Sequence, residues 1–208
     1  MLKRHLICLI SIITLIALVG VTACKLPTAD EMRQPDYGAG VTEAVAAQAV
    51  IDEIAALFDD LRDGTQTGTI TQAFTEAELT ALIAQKMGSG GAISNVLINI
   101  EPDAVLLAAD LVNEGETKAV VAEFNFVANG DTIAMTLGSF TYGGLLASLV
   151  PAAKTAFEEQ LNSGLQSAMG DPTVLMSAIP IPEGATVDSI VLALGVMTVT
   201  GTATFEAE

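Results

Sequence analysis

Acid–base and nucleophilic chemistry needs titratable side chains at workable spacings, and this 208-residue chain offers few. Its single histidine is His5 and its cysteines are Cys8 and Cys24. His5 and Cys8 lie in a leader segment that is expected to be removed, which leaves no imidazole for a triad or for the common zinc sites. No Ser-x-x-Lys spacing occurs. Glu76 with Glu78, and Glu158 with Glu159, pair carboxylates in sequence, but acids this close on a helix ordinarily face water. Asp59, Asp60 and Asp63 before Gly64 faintly suggest a calcium loop. The third and twelfth loop positions would be Leu61 and Ile70, where oxygen ligands are required. Gly88-Ser89-Gly90-Gly91 follows a helix and precedes a strand, so it reads as a helix stop and not as a phosphate cradle. The expectation is a non-enzyme without metal or cofactor.

Cys24 is the residue with the clearest chemical assignment. Lys3, Arg4 and His5 give a basic start, and residues 6–21 form an uncharged apolar run of 16 residues. That is short of the roughly 20 needed to span a bilayer as a helix, and it matches a secretory signal. The ending Val21-Thr22-Ala23-Cys24 resembles the lipobox of bacterial lipoproteins. The resemblance implies diacylglyceryl transfer to the Cys24 thiol, cleavage before it, and often acylation of the new amino terminus. Two or more acyl chains hold a protein stably on a membrane, whereas one binds only reversibly. The alternatives are an uncleaved helical anchor, or an ordinary signal cut with an incidental cysteine. Lys25 stands where the resemblance would place an Asp if inner-membrane retention were favoured. The expected location is the cell envelope, on the outer side of the cytoplasmic membrane or on an outer membrane.

After Cys24 the chain carries six basic residues against 25 acidic ones, a net charge of −19. Such a surface repels phosphate backbones and anionic lipid, so nucleic acid is not an expected partner and attachment depends on the anchor. With Cys24 acylated no disulfide can form, and stability must come from packing. A domain of roughly 170 residues is large enough for one such core.

Periodicity then suggests the elements. Residues 25–40 contain two prolines and two glycines and read as a tether. Val50, Ile54, Leu57, Phe58 and Leu61 share a helical face within 42–63. A Thr-rich strand is expected near 65–73, and Thr75-Glu76-Ala77-Glu78 matches a capping box opening a helix through Met87. Strands are expected near 93–100, 104–113, 117–128 and 132–142, joined by turns too short for parallel crossovers. A long helix over 144–168 would carry Leu146, Leu149, Val150, Ala153, Phe157, Leu161 and Leu165 on one stripe, with Pro151 as a kink or a break. A prolyl connection over 171–185 and two strands, 186–194 and 196–205, close the chain. The expected class is α+β: a curved antiparallel β-meander packed on two to three helices, one of them long. The expected divisions are a signal at 1–23, the lipidated Cys24 with its tether at 24–40, and one domain at 41–208.

FTEAELTALIAQKM, ISNVLINIEPDAVLLAADLV, TKAVVAEFNFVANGDTIAMTLGSF and IPIPEGATVDSIVLALGVMTVTG together resemble small bacterial tubular-lipid-binding-like domains of the LmeA and YpmS types, over about 65–205. The resemblance implies non-catalytic binding of a lipid or another elongated apolar ligand between the long helix and the concave sheet. Expected lining residues are Leu82 and Ile83 on one helix, and Val120, Phe124, Phe126 and Met135 on the strands. Leu149 and Phe157 complete the set from the long helix. The alternative is an adaptor lipoprotein that binds a protein partner through a sheet edge or its acidic face. An open apolar cavity favours the first reading, and a filled core with an exposed apolar patch favours the second.

Overall fold

The structure, a computed structural model, describes residues 26–34, 49, 52, 56, 67–87, 92–169, 171–181 and 184–204. Cys24, the expected leader and most of the expected helix at 42–63 lie outside these residues. Within that helix Ala49, Asp52 and Ala56 are helical and exposed, on the face opposite the expected apolar stripe.

In chain order the elements are α1 (Ala29–Met32), β1 (Thr67–Thr75), α2 (Glu76–Met87), β2 (Ile93–Ile100), β3 (Val105–Asn113), β4 (Glu116–Ala128) and β5 (Thr132–Tyr142). There follow β6 (Leu145–Leu146), a 3-10 turn (Ala147–Leu149), α3 (Pro151–Met169), β7 (Ile179–Pro180), β8 (Ala185–Ala193) and β9 (Val196–Thr204). Strands β2 to β6 form an antiparallel meander, and β7 pairs with the start of β5. A second antiparallel sheet runs in the order β1-β9-β8. The two sheets join where the Val187 amide donates to the Gly130 carbonyl and the Gly195 amide to that of Ile100. The result is a curled half-barrel of the expected α+β class.

Three bulges produce the curl. In β2 an extra residue lies between Ser94 and Leu97, where Asn95 adopts a positive φ of 50°. In β5 an extra residue faces the step from Ala122 to Phe124, and in β8 Asp188 is extra opposite the step from Thr200 to Gly201. A bulge bends its strand and increases local twist. It also resets the inside–outside alternation, which is why Phe140 and Tyr142 join Leu137 and Met135 around one core.

That core lies on the concave face. Leu107, Ala109, Val120, Ala122 and Phe124 from the sheet meet Ala153, Phe157 and Leu161, which are spaced four apart along α3. Helix α2 covers the free edge of β2. Its Thr75 and Glu78 form the expected capping box, with the Thr75 amide and hydroxyl both donating to Glu78 Oε2. Thr80 Oγ1 accepts from the Ile98 amide and Glu76 Oε1 from the Ile100 amide, so side chains of α2 satisfy edge donors that would otherwise seek another strand.

Two expectations change. The stretch 26–34, read as part of a tether, is structured and packs on the convex face. Thr28 and Glu31 make a capping box, and Met32, 1% exposed, sits with Ala29 against Leu106, Ala108 and Val121. Arg33 completes the strap with a 3.0 Å ion pair to Asp110. The near-continuous apolar run of β3 has both faces to cover, and this strap covers the second. The long helix begins at Pro151 and not near 144. Gly143 and Gly144, both at positive φ, return the chain so that Leu145 pairs with Tyr142 as β6. Pro151 then opens α3, where its missing amide costs nothing.

Candidate functional site

The start of α3 leaves a hollow at one end of the meander. It occupies about 380 Å³ and is lined by the β3–β4 hairpin, Lys118, Tyr142 and residues 149–153. The hairpin needs two consecutive positive-φ residues, Glu114 at 53° and Gly115 at 81°, so that its turn follows the twist of the strands. Asn113, Glu114 and Glu116 are thereby held beside α3.

The walls of the hollow differ in character. Leu149, Val150, Pro151, Ala152 and Ala153 make one wall apolar. Glu116, Lys118 and the Tyr142 ring make the other polar. Lys118 Nζ lies 2.5 Å from Glu116 Oε2 and 5.3 Å from the centre of the Tyr142 ring. Tyr142 Oη donates to the Glu116 carbonyl at 3.4 Å. The Lys118 ammonium lowers the Glu116 carboxyl below its ordinary value, and Glu116 in turn raises Lys118, first by hydrogen bonding and then by charge. Both groups are solvated, so the pair orients the wall and contributes little to stability.

At the rim of the hollow and just before it in the chain, three leucines are exposed: Leu145, Leu146 and Leu149 at 51%, 61% and 69%. They follow one another through β6 and the 3-10 turn. Val112, at the same end of the sheet, is exposed as well.

The eight residues expected to line a ligand channel separate into three groups. Val120, Phe124 and Phe157 are buried together in the core, and Ile83, Phe126 and Met135 are half-buried against it. The Phe157 ring lies 5.3 Å from that of Phe140 and 6.4 Å from that of Phe124. These rings lie between helix and sheet and contact one another there. Leu82 is half-buried on α2. Leu149 faces solvent at the rim of the hollow, because its segment is a 3-10 turn before Pro151 and not the first part of a helix.

Sequence reasoning missed Leu145, Lys118, Tyr142 and the strap. The signals were present: Gly-Gly followed by Leu-Leu, a proline shortly afterwards, and a Thr-x-x-Glu capping box at 28–31. Among the described residues no three of His, Cys, Asp and Glu lie close enough to hold a metal ion. Comparison with protein-family models, with curated proteins and with solved structures finds no match for this chain.

Proposed function

We propose that the protein is an envelope lipoprotein, anchored through acyl groups on Cys24, whose domain binds an amphiphilic lipid without catalysis. The observation that carries this reading is the hollow at the start of α3. One wall is apolar, the other presents Lys118, Glu116 and Tyr142, and its rim continues into exposed leucines. A molecule with a polar head and an apolar tail matches both walls. Ala152, exposed on the first turn of α3, allows a direct test. Ala152→Trp should fill the hollow without entering the core. Native mass spectrometry of the protein extracted from its host membrane should then show bound lipid on the parent and not on the variant. A parent protein that carries no amphiphile, even with added phosphatidylcholine, would overturn the reading. The anchor has its own test: Cys24→Ala should remove the acyl mass and the signal-peptide cut.

A second reading has one observation in its favour. The exposed leucines Leu145, Leu146 and Leu149 also suit an adaptor lipoprotein with a protein partner.

A further inference from the structure

We infer that the hollow at the start of α3 selects a head group bearing a quaternary ammonium, held against Glu114, Glu116 and the Tyr142 ring. This rests on the reading of the hollow as an amphiphile site and assigns the charge of the head. Both cations at this end of the meander have carboxylate partners. Lys118 Nζ stands 2.5 Å from Glu116 Oε2, and Lys154, on the first turn of α3, pairs with Glu158 one turn further along. An anionic head would have to draw a lysine from its own carboxylate before gaining a partner. Glu114 lines the hollow and has no ion pair among the described residues. The turn that gives it a φ of 53° keeps it there.

The polar wall also shows how it holds an ammonium, because Lys118 Nζ lies 5.3 Å from the centre of the Tyr142 ring. Aromatic faces attract cations at this range, quaternary ammonium groups included. Glu114, Glu116 and Glu158 outnumber Lys118 and Lys154 here, and the chain as a whole is strongly acidic, so the near and the distant fields have the same sign. The methyl groups of a quaternary nitrogen suit the apolar wall of Val150, Pro151 and Ala152 as well. A volume of about 380 Å³ accommodates such a head with the first part of its chain.

Competition among amphiphiles of equal chain length provides the test. The protein extracted from its host membrane is mixed at low ionic strength with equal amounts of dodecyltrimethylammonium, dodecyldimethylamine oxide and dodecanoate at mildly alkaline pH. Native mass spectrometry then reads which probe is bound. The amine oxide has nearly the same head shape without net charge, so it separates charge from fit. Binding to Ala152→Trp, in which the hollow is filled, is subtracted. The expected result is roughly tenfold more trimethylammonium than dodecanoate in the hollow. Glu114→Gln should lower that preference about threefold. Asp103→Asn removes one negative charge from the exposed turn at the other end of β3 and should leave it unchanged. Amine oxide or dodecanoate bound in the hollow as well as the trimethylammonium probe overturns the assignment of the head and leaves the amphiphile site standing. A preference that falls equally in Asp103→Asn and Glu114→Gln also overturns it, since net charge and not the hollow would then select the head. No probe bound beyond the Ala152→Trp level overturns the amphiphile site, and this inference with it.

Discussion

Glu76 shows how one side chain can satisfy an edge and strain it electrostatically. Its Oε1 accepts from the Asn99 side chain and from the Ile100 amide, both at 2.8 Å. Burial raises its carboxyl above the ordinary value, the Ile100 hydrogen bond opposes this, and the nearby Glu101 charge adds to it. The folded protein thus holds this proton more tightly than the unfolded chain does. The stability it contributes is complete below the unfolded value and is lost as pH rises through the raised folded value. Glu76→Gln keeps an acceptor and removes the charge. Its stability relative to the parent should improve as pH rises through that window, and at neutral pH the two should differ by less than about 1 kcal/mol. Glu76→Ala leaves the amide of fully buried Ile100 without its acceptor and should cost about 1–3 kcal/mol. Urea melts from mildly acid to neutral pH would check both. A Gln variant that loses ground as pH rises would refute this account of the site.

Among the elements, the strap is the one whose removal is most informative. A domain begun at residue 41 lacks Leu26, Ala29 and Met32 and exposes their partners Leu106, Ala108 and Val121. It should be less stable than one begun at residue 25 by about 2–4 kcal/mol, measured by denaturant unfolding. Acid should release the strap by a separate route. The Asn95 amide, then the Arg33 guanidinium, hold Asp110 below the usual carboxylate range against the opposing effect of burial. This contribution is present above the unfolded value and disappears as pH falls through the depressed folded one. The protection of the Met32 and Arg33 amides from hydrogen exchange, taken relative to their intrinsic rate at each pH, should therefore fall as pH drops through that depressed value. Legibility differed among the elements for physical reasons. The meander strands could be placed to within a residue or so, because alternation and short turns are local signals. The pairing of β1 with β9 could not, since it joins residues more than 100 apart through weakly patterned Thr-rich strands. The hollow was invisible for a related reason: it depends on where α3 begins, and Leu146 and Leu149 fit a helical stripe as well as they fit an exposed turn.

At the scale of the whole molecule, charge and packing oppose each other. The acidic excess repels itself in the compact state, while the aromatic cluster of Phe124, Phe140 and Phe157 holds the sheet to the helix. Salt screens the first and hardly affects the second. The melting temperature should therefore rise as sodium chloride increases from low to physiological ionic strength. Calorimetry that found a fall would place the dominant charge effects in attractive pairs such as Arg33 with Asp110.

The bulge in β5 bears on how this chain can change length. Removing one residue from a regular strand turns every later side chain to the wrong face. In β5 the surplus residue falls between Leu137 and Phe140, both of which point inward. Deleting Ser139 would leave Leu137, Phe140 and Tyr142 facing the core and would remove only the bend. The strand should stay paired while the half-barrel flattens around Phe157. Loss of one codon, ordinarily among the most damaging changes to a central strand, would act here as an adjustment of curvature.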